Sequence, residues 1–382
     1  MTRTIASILL LCAVSDVSAQ CSTTSAVPPH PFHDPPVWRD RGGPAPFVLP
    51  VIVHVYYNDV LGPIGVTQIP PILELANLDL RGMNADTADA CSLFAPLVGD
   101  LGIELRLATI DEDGNCTSGI LHHWYDHTQG ITPDHASFAQ NTAEYLNIHI
   151  FPAMNSYAVI PSTGFPVPGD PQDGIVLSYY DATARPRMLA HEVGHWVGLY
   201  HTFGATNTSG VNCGDDGLAD TPETKGSVVN TCDTTLSECA MGVIENVDNF
   251  MDYSDCGKMF TVDQMAHVNA VMTDPLVPRA QHCTPANHAA TGIYLTPTCP
   301  LEAQIHQMQT VGCDAVTVDF SATSTGQVPD QLEWSFPGGS PSSSNDASPT
   351  VAYLTSGVYT AQLIACNTGE GATPRNWSST WR

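Results

Sequence analysis

The sequence predicts an α+β domain followed by a smaller all-β sandwich, and three observations carry that expectation. Up to about residue 285, β-branched runs are mixed with a few long apolar-periodic stretches; after Cys299 helical periodicity disappears; and beyond that point short Val, Thr, Phe and Tyr segments alternate with Ser, Gly and Pro. The chain has 382 residues, more than one core usually holds, and its 43% hydrophobic content can fill a sizeable interior. Thirty-nine acidic side chains against twelve basic ones leave a net charge of −27, with Lys only at Lys225 and Lys258. Such a surface argues against a nucleic-acid-binding protein.

Arg3, the apolar run over 5–14 and the small residues Val17, Ser18 and Ala19 read as an export leader over 1–19, too short to span a membrane. No later segment approaches 18 uninterrupted apolar residues, so a secreted, extracellular chain without a membrane span is expected. Residues 20–47 are rich in Pro and read as an extended arm or short pro-segment. A first domain is expected over 48–285 and the sandwich over 286–382. Within the first domain, 51–57 (VIVHVYY) reads as a central strand, and Pro70-Pro71 open a helix carrying Ile72, Leu73, Leu75, Ala76, Leu78 and Leu80. Further strands are expected at 101–110, 146–151 and 174–179, and further helices at 187–200 and 262–272. The segments 316–322, 332–336, 350–354 and 358–365 are strands at sandwich spacing.

Twelve cysteines include Cys12 in the leader and no CxxC pair, which in an exported chain favours disulfides over zinc knuckles. Removing Cys12 leaves an odd number, and Cys21 near the mature start is the candidate without an internal partner.

The informative stretch is HEVGHWVGLYH, 191–201. On a helix His191 and His195 lie about 400° apart, so both rings leave one face and can meet one ion. A helix continued to His201 would aim that ring away, at about 280° from His191. The helix must therefore stop, and Gly198, free to take positive φ, can turn the chain back. Three neutral imidazoles leave a fourth position for water, the arrangement of a catalytic rather than a structural zinc site. Glu192, beside His191, can take the proton of that water. Imidazole also suits copper, nickel and iron, but the Glu and the open position match zinc hydrolysis.

HExxHxxGxxH is the metzincin signature, and the surroundings resemble the pappalysin family of metzincin zinc metalloproteases, the ulilysin-like branch. The similarity includes 49–58, 78–86 (LDLRGMNAD), 101–104, Asp220-Thr221-Pro222 and Asn249-Phe250-Met251-Asp252-Tyr253, and covers about 48–275. The resemblance implies a metzincin-type domain with a twisted mixed sheet and an active-site helix, acting as a zinc metalloendopeptidase on protein or peptide substrates. It makes Met251 the apolar floor beneath the zinc ligands, a place a core methionine would also take, and Tyr253 the hydroxyl that stabilises the oxyanion. It also implies structural calcium in the loop after the third His, where Asp215, Asp216, Asp220 and Thr221 offer hard oxygen donors. Asp215 stands where the family has a glycine. The resemblance suggests disulfides Cys213–Cys239 and Cys232–Cys256, one of the three pairings that four cysteines allow; Cys91 and Cys116 are a further candidate pair. In related folds substrate lies extended on an edge strand upstream of the zinc helix, here expected at 146–151.

In the C-terminal region, 318–322, 334–339, Pro349-Thr350-Val351 and Gly357-Val358-Tyr359 resemble a PKD-type domain, an immunoglobulin-like sandwich that implies a spacer or surface and matrix attachment. Two other readings compete with a peptidase. One is a non-catalytic adhesion or matrix-binding protein on a protease-like fold, but no zinc ligand is missing and Glu192 is present. The other is a zinc hydrolase of bonds outside proteins, which the zinc ligands alone do not exclude.

Overall fold

The structure, a computed structural model, describes residues 46–294 and 301–381 apart from 59, 130–131, 153, 162–165, 186, 229–230, 311–315, 326–327 and 367–374. The expected leader, nearly all of the Pro-rich arm, Cys21, Cys299 and Cys313 lie outside the described residues.

In the first domain the chain forms β1 (Phe47–Tyr57), α1 (Ile69–Leu80), β2 (Val98–Gly99), β3 (Ile103–Leu107), β4 (Ile120–Trp124), β5 (Leu146–Phe151), β6 (Tyr157–Ala158), β7 (Ile175–Ser178), α2 (Tyr179–Ala184), α3 (Met188–Trp196), β8 (Phe260–Thr261), α4 (Val262–Thr273) and α5 (Pro285–Thr291). The main sheet runs β3-β1-β5-β7-β6, and β4 follows β3 along the same side of the long β1. These pairings are parallel except for β6, which lies antiparallel on β7 at the edge. β1 is apolar at nearly every position because both its faces are covered. Val51, Val53 and Val55 join α1 and α3 in the main core with Ile148, Leu177, Leu73 and Val193. On the reverse face Tyr56 packs with Phe151 and Val176, while His54 stacks on His149.

Strand β5 is not the edge. It is buried throughout and paired on both sides, to β1 and to β7, so no backbone of it is free to take up a substrate. The edge on that side is β6, two residues long and partly exposed, with β3 and β4 at the opposite edge. The expected domain boundary at 285 also shifts. Helix α5 belongs to the first domain: Asn287 Nδ2 donates to Glu144 O at 2.8 Å and His288 Nε2 lies 2.9 Å from Val48 O.

The C-terminal residues form β9 (Glu302–Thr310), β10 (Val316–Thr325), β11 (Gln331–Ser335), β12 (Ser343–Ser344), β13 (Thr350–Tyr353), β14 (Tyr359–Cys366) and β15 (Arg375–Trp381). They make one sheet β13-β10-β9 and another β12-β11-β14-β15, with a separate core of Val318, Phe320, Trp334, Phe336, Val351 and Leu363. This unit touches the first domain beside α1 and β4, where Ser348 Oγ donates to Gln68 Oε1 at 3.1 Å and His306 meets the Tyr57 ring edge-on at 5.4 Å.

Candidate metal centre

Helix α3 is buried from Leu189 to Trp196, unusual for a surface helix and explained by its place between the sheet and the loops that follow. Its start is held by Arg187, whose Nη2 donates to both Asp86 oxygens at 2.8 and 2.7 Å. The helix stops at Trp196, four residues short of the expected end, because Gly198 takes φ +103°. That conformation disfavours any residue with a Cβ, and the next turn closes with Leu199 N donating to Gly194 O at 2.9 Å.

The turn brings His201 back beside His191 and His195, and all three are buried. Each ring uses Nδ1 on a backbone carbonyl: His191 on Phe250 O at 2.6 Å, His195 on Leu199 O at 2.8 Å, His201 on Thr206 O at 2.8 Å. A carbonyl only accepts, so Nδ1 carries the proton and each Nε2 presents a lone pair. Burial lowers the pKa of all three, and mutual repulsion adds to it for His191 and His201, His201 falling to about 3. The rings are thus held neutral, the form that binds a metal. His195 Nε2 and His201 Nε2 lie 3.0 Å apart. With both Nδ1 protons already donated, that approach sets two lone pairs against each other, and a cation between them is what satisfies it. Glu192 supplies a second such observation: its Oε2 is buried without a partner beside the triad. Burial, with the Asp181 charge second, pushes Glu192 up to about 8; a cation at the triad acts in the opposite direction. The donor set fits zinc with one position open.

Tyr253 lies with its ring 4.7 Å from that of His201 and 5.9 Å from that of His191, and its hydroxyl pKa is raised by burial and by Glu192. Met251 is fully buried beneath the helix. Gly194 makes that approach possible, since a Cβ there would stand 2.5 Å from Met251 Sδ. Phe203 stacks on His201 at 4.7 Å with 5° between the rings. The triad, Glu192 and Tyr253 line one open cavity of 1370 Å³, bordered by the β6 residues Tyr157 and Ala158 and by Asp181, Arg185 and Asp255. Asp181 Oδ2 accepts from Ser156 Oγ at 2.6 Å and Ser178 Oγ at 2.8 Å, tying the approach to β6 to the end of β7.

The residues expected to hold calcium take part in hydrogen bonds of the loop and of α4. Both Asp220 oxygens are committed to the start of α4, accepting from Thr261 Oγ1 at 2.7 Å and Asp263 N at 2.8 Å. Asp215 accepts from Gly217 N, and Asp216 Oδ1 accepts from Leu218 N and the Thr221 hydroxyl. Asp216 Oδ2 is buried without a partner, and burial pushes that carboxyl to about 6. Among the described residues the His triad is the one cluster of three or more such side chains that could hold an ion. Asp220 thus ties the loop after the third His to the start of α4.

Cys213 is bonded to Cys239 and Cys232 to Cys256, closing the loops around the cavity wall. The pair Cys91 and Cys116 does not form: Cys91 is a free thiol, and Cys116 is disulfide-bonded to another residue. The fold separates them, Cys91 N donating to Asp248 at 2.6 Å while Cys116 bridges to Ile110.

Sequence reasoning missed Gly194, Phe203, Asp181 and the role of Asp86. Of these only the Gly within the HEVGH stretch carried a local signal, as a small residue inside a helix that packs closely.

A buried helix carrying His191 and His195 and ended by a glycine turn, with His201 and a methionine floor, has the arrangement of a metzincin-type metallopeptidase site. Residues 131–273 match the profile of the M43 peptidase family, described as Pregnancy-associated plasma protein-A. The chain is 29% identical over 200 residues to an extracellular metalloprotease of Podospora anserina and 36% identical over 111 residues to one of Verticillium alfalfae, covering 48% and 28% of this chain. It spans 62% and 34% of the length of those two relatives. Among solved structures, mature mirolysin of Tannerella forsythia in complex with a cleaved peptide superposes with TM-score 0.53 at 27% identity, over 65% of this chain and 99% of that one. A promirolysin mutant from the same organism gives 0.55 at 28%, over 64% and 87%. Over residues 131–273 the chain is similar to the pappalysin family of metzincins.

Proposed function

We propose that the chain is an exported zinc-dependent endopeptidase that hydrolyses peptide bonds with metal-activated water. The observation that carries the reading is the convergence of three buried Nε2 lone pairs, each fixed by a carbonyl at Nδ1, beside the unpartnered carboxyl of Glu192 in an open cavity. Zinc at that position supplies a Lewis acid and a water of lowered pKa. Glu192 takes the proton of the attacking water and returns it to the leaving amine. The Tyr253 hydroxyl donates to the oxygen on which charge develops. An extended peptide adds to the free edge of β6, which explains a polypeptide substrate; the mirolysin structure with a cleaved peptide supports that class.

Export is supported by relatives named extracellular metalloproteases and by the disulfides; no described helix is long and apolar enough to cross a membrane. Residues 301–381 we assign to a PKD-type sandwich that serves as a spacer or as an attachment to surface or matrix. The test is mass-spectrometric mapping of cleavage sites on a peptide library for wild type, wild type with a zinc chelator, and Glu192→Ala. Cleavage by wild type alone is expected; cleavage unchanged by both treatments would overturn the mechanism.

A further inference from the structure

The buried surroundings of α3 hold one strong group that the chemistry above does not use. Arg279, in the short 3-10 segment Pro278–Cys283, is 0% exposed, and it sits among the buried side chains of Trp196 and Asp173. Its guanidinium is committed on every side. Nε and Nη2 donate to the two Asp173 oxygens, Nη1 donates to Trp196 O, and Nη2 reaches Val159 O at 2.9 Å. Its plane lies over the Trp196 ring, 4.4 Å from the centroid, and Trp196 Nε1 donates to Asp173 Oδ1 at 2.9 Å.

The two carbonyls it binds belong to the two elements the reaction needs. Trp196 is the last residue of α3, and its carbonyl loses a helical partner because the chain turns at Gly198. Buried without a donor, that carbonyl would destabilise the turn that fixes His195 through Leu199 O and delivers His201. Val159 directly follows β6, the strand at the border of the cavity. A planar fork can reach both carbonyls and a carboxylate at once, which a single ammonium cannot.

We propose that Arg279 is a positioning residue of the metal centre: it caps the end of the zinc helix and holds that end at a set distance from the cleft edge. It complements Arg187, which fixes the start of the helix through Asp86. The inference rests on the zinc-peptidase reading, and its test separates the two. Zinc-loaded wild type and Arg279→Lys are mixed with a chromogenic chelator and the rate of zinc loss is followed, with circular dichroism to confirm folding. Arg279→Lys is expected to lose zinc about tenfold faster while folded, as changes behind a metal ligand do, and to raise KM for extended peptides more than it lowers kcat. A role in stability alone would lower the melting temperature and leave zinc loss from the folded protein unchanged, and that result overturns the proposal. Should Arg279→Lys not fold, Trp196→Phe keeps an aromatic ring and removes the indole bond to Asp173. It must also speed zinc loss, and an unchanged rate there overturns the proposal equally. A wild-type chain that binds no zinc would instead overturn the metal site itself.

Discussion

Replacing His54 by Gln should make the fold less sensitive to acid. His54 is fully buried on the reverse face of the sheet, with Nδ1 3.0 Å from His123 Nε2 and Nε2 2.9 Å from Asn147 Oδ1. Its ring stacks on His149 at 4.4 Å and on His123 at 5.2 Å. Burial lowers its pKa to about 3, the Asn147 bond opposes that, and repulsion from His123 and His135 adds to it. His123 falls to about 4 and His149 well below its ordinary value, both chiefly through burial. The acid beside this cluster, Asp134, sits 3.9 Å from His135 and is mostly exposed. Between pH 6.5 and 3 the unfolded chain binds a proton at this position that the folded chain refuses, so stability rises with pH and is lost on acidification through that window. From pH 8 to pH 5 one such imidazole removes about 2 kcal/mol. Gln keeps a donor and an acceptor but cannot titrate, and it relieves His149 of a repulsive neighbour. Urea unfolding of metal-free wild type and His54→Gln at pH 8 and pH 5 measures the difference, the zinc ligands contributing equally to both. The variant should lose about 2 kcal/mol less than wild type. Equal losses in the two proteins would refute the argument that this buried imidazole drives acid unfolding.

Glu192→Ala should lower peptide cleavage by about 10² to 10⁴ while the protein still binds one equivalent of zinc; metal analysis beside a cleavage assay checks both. Tyr253→Phe should reduce kcat by about 10²-fold with little change in KM, the signature of a contact made in the transition state. Equal kcat in the two proteins would remove Tyr253 from the mechanism. Gly226 has φ +71°, and a Cβ there would lie 2.2 Å from Phe203, the ring stacked on His201. Gly226→Ala should therefore cost about 2 to 4 kcal/mol and loosen zinc; denaturant titration and chelator competition test the two effects.

What could be read from the linear chain was local. The residues 191–201 alone place two His rings on one helical face and require a turn at Gly198, because helical spacing is a property of neighbours in sequence. The strand at 51–57, which in the structure begins earlier at Phe47, and the helix opened by Pro70-Pro71 were legible for the same reason, since apolar patterning is a short-range property. The end of α3 at Trp196, by contrast, was expected four residues later, since the apolar periodicity of Val197 and Leu199 continues through the glycine that breaks it.

The rest depended on partners far along the chain. Whether 146–151 is an edge or a central strand is decided by β7, which pairs with it from the other side. That Asp220 binds the start of α4, some forty residues on, is likewise set by the fold and not by spacing. Cys91 and Cys116 look like a pair until the fold places them apart. Arg279 carries no motif at all; only packing brings its guanidinium to Trp196, Val159 and Asp173. The sequence by itself determined which three His and which Glu come together at the candidate metal centre, because one helical segment and its turn contain them. The tertiary structure alone decided which strand borders the cavity and which residues bond the two ends of α3, because buried hydrogen bonds and ion pairs join residues by distance in space, which spacing along the chain does not encode.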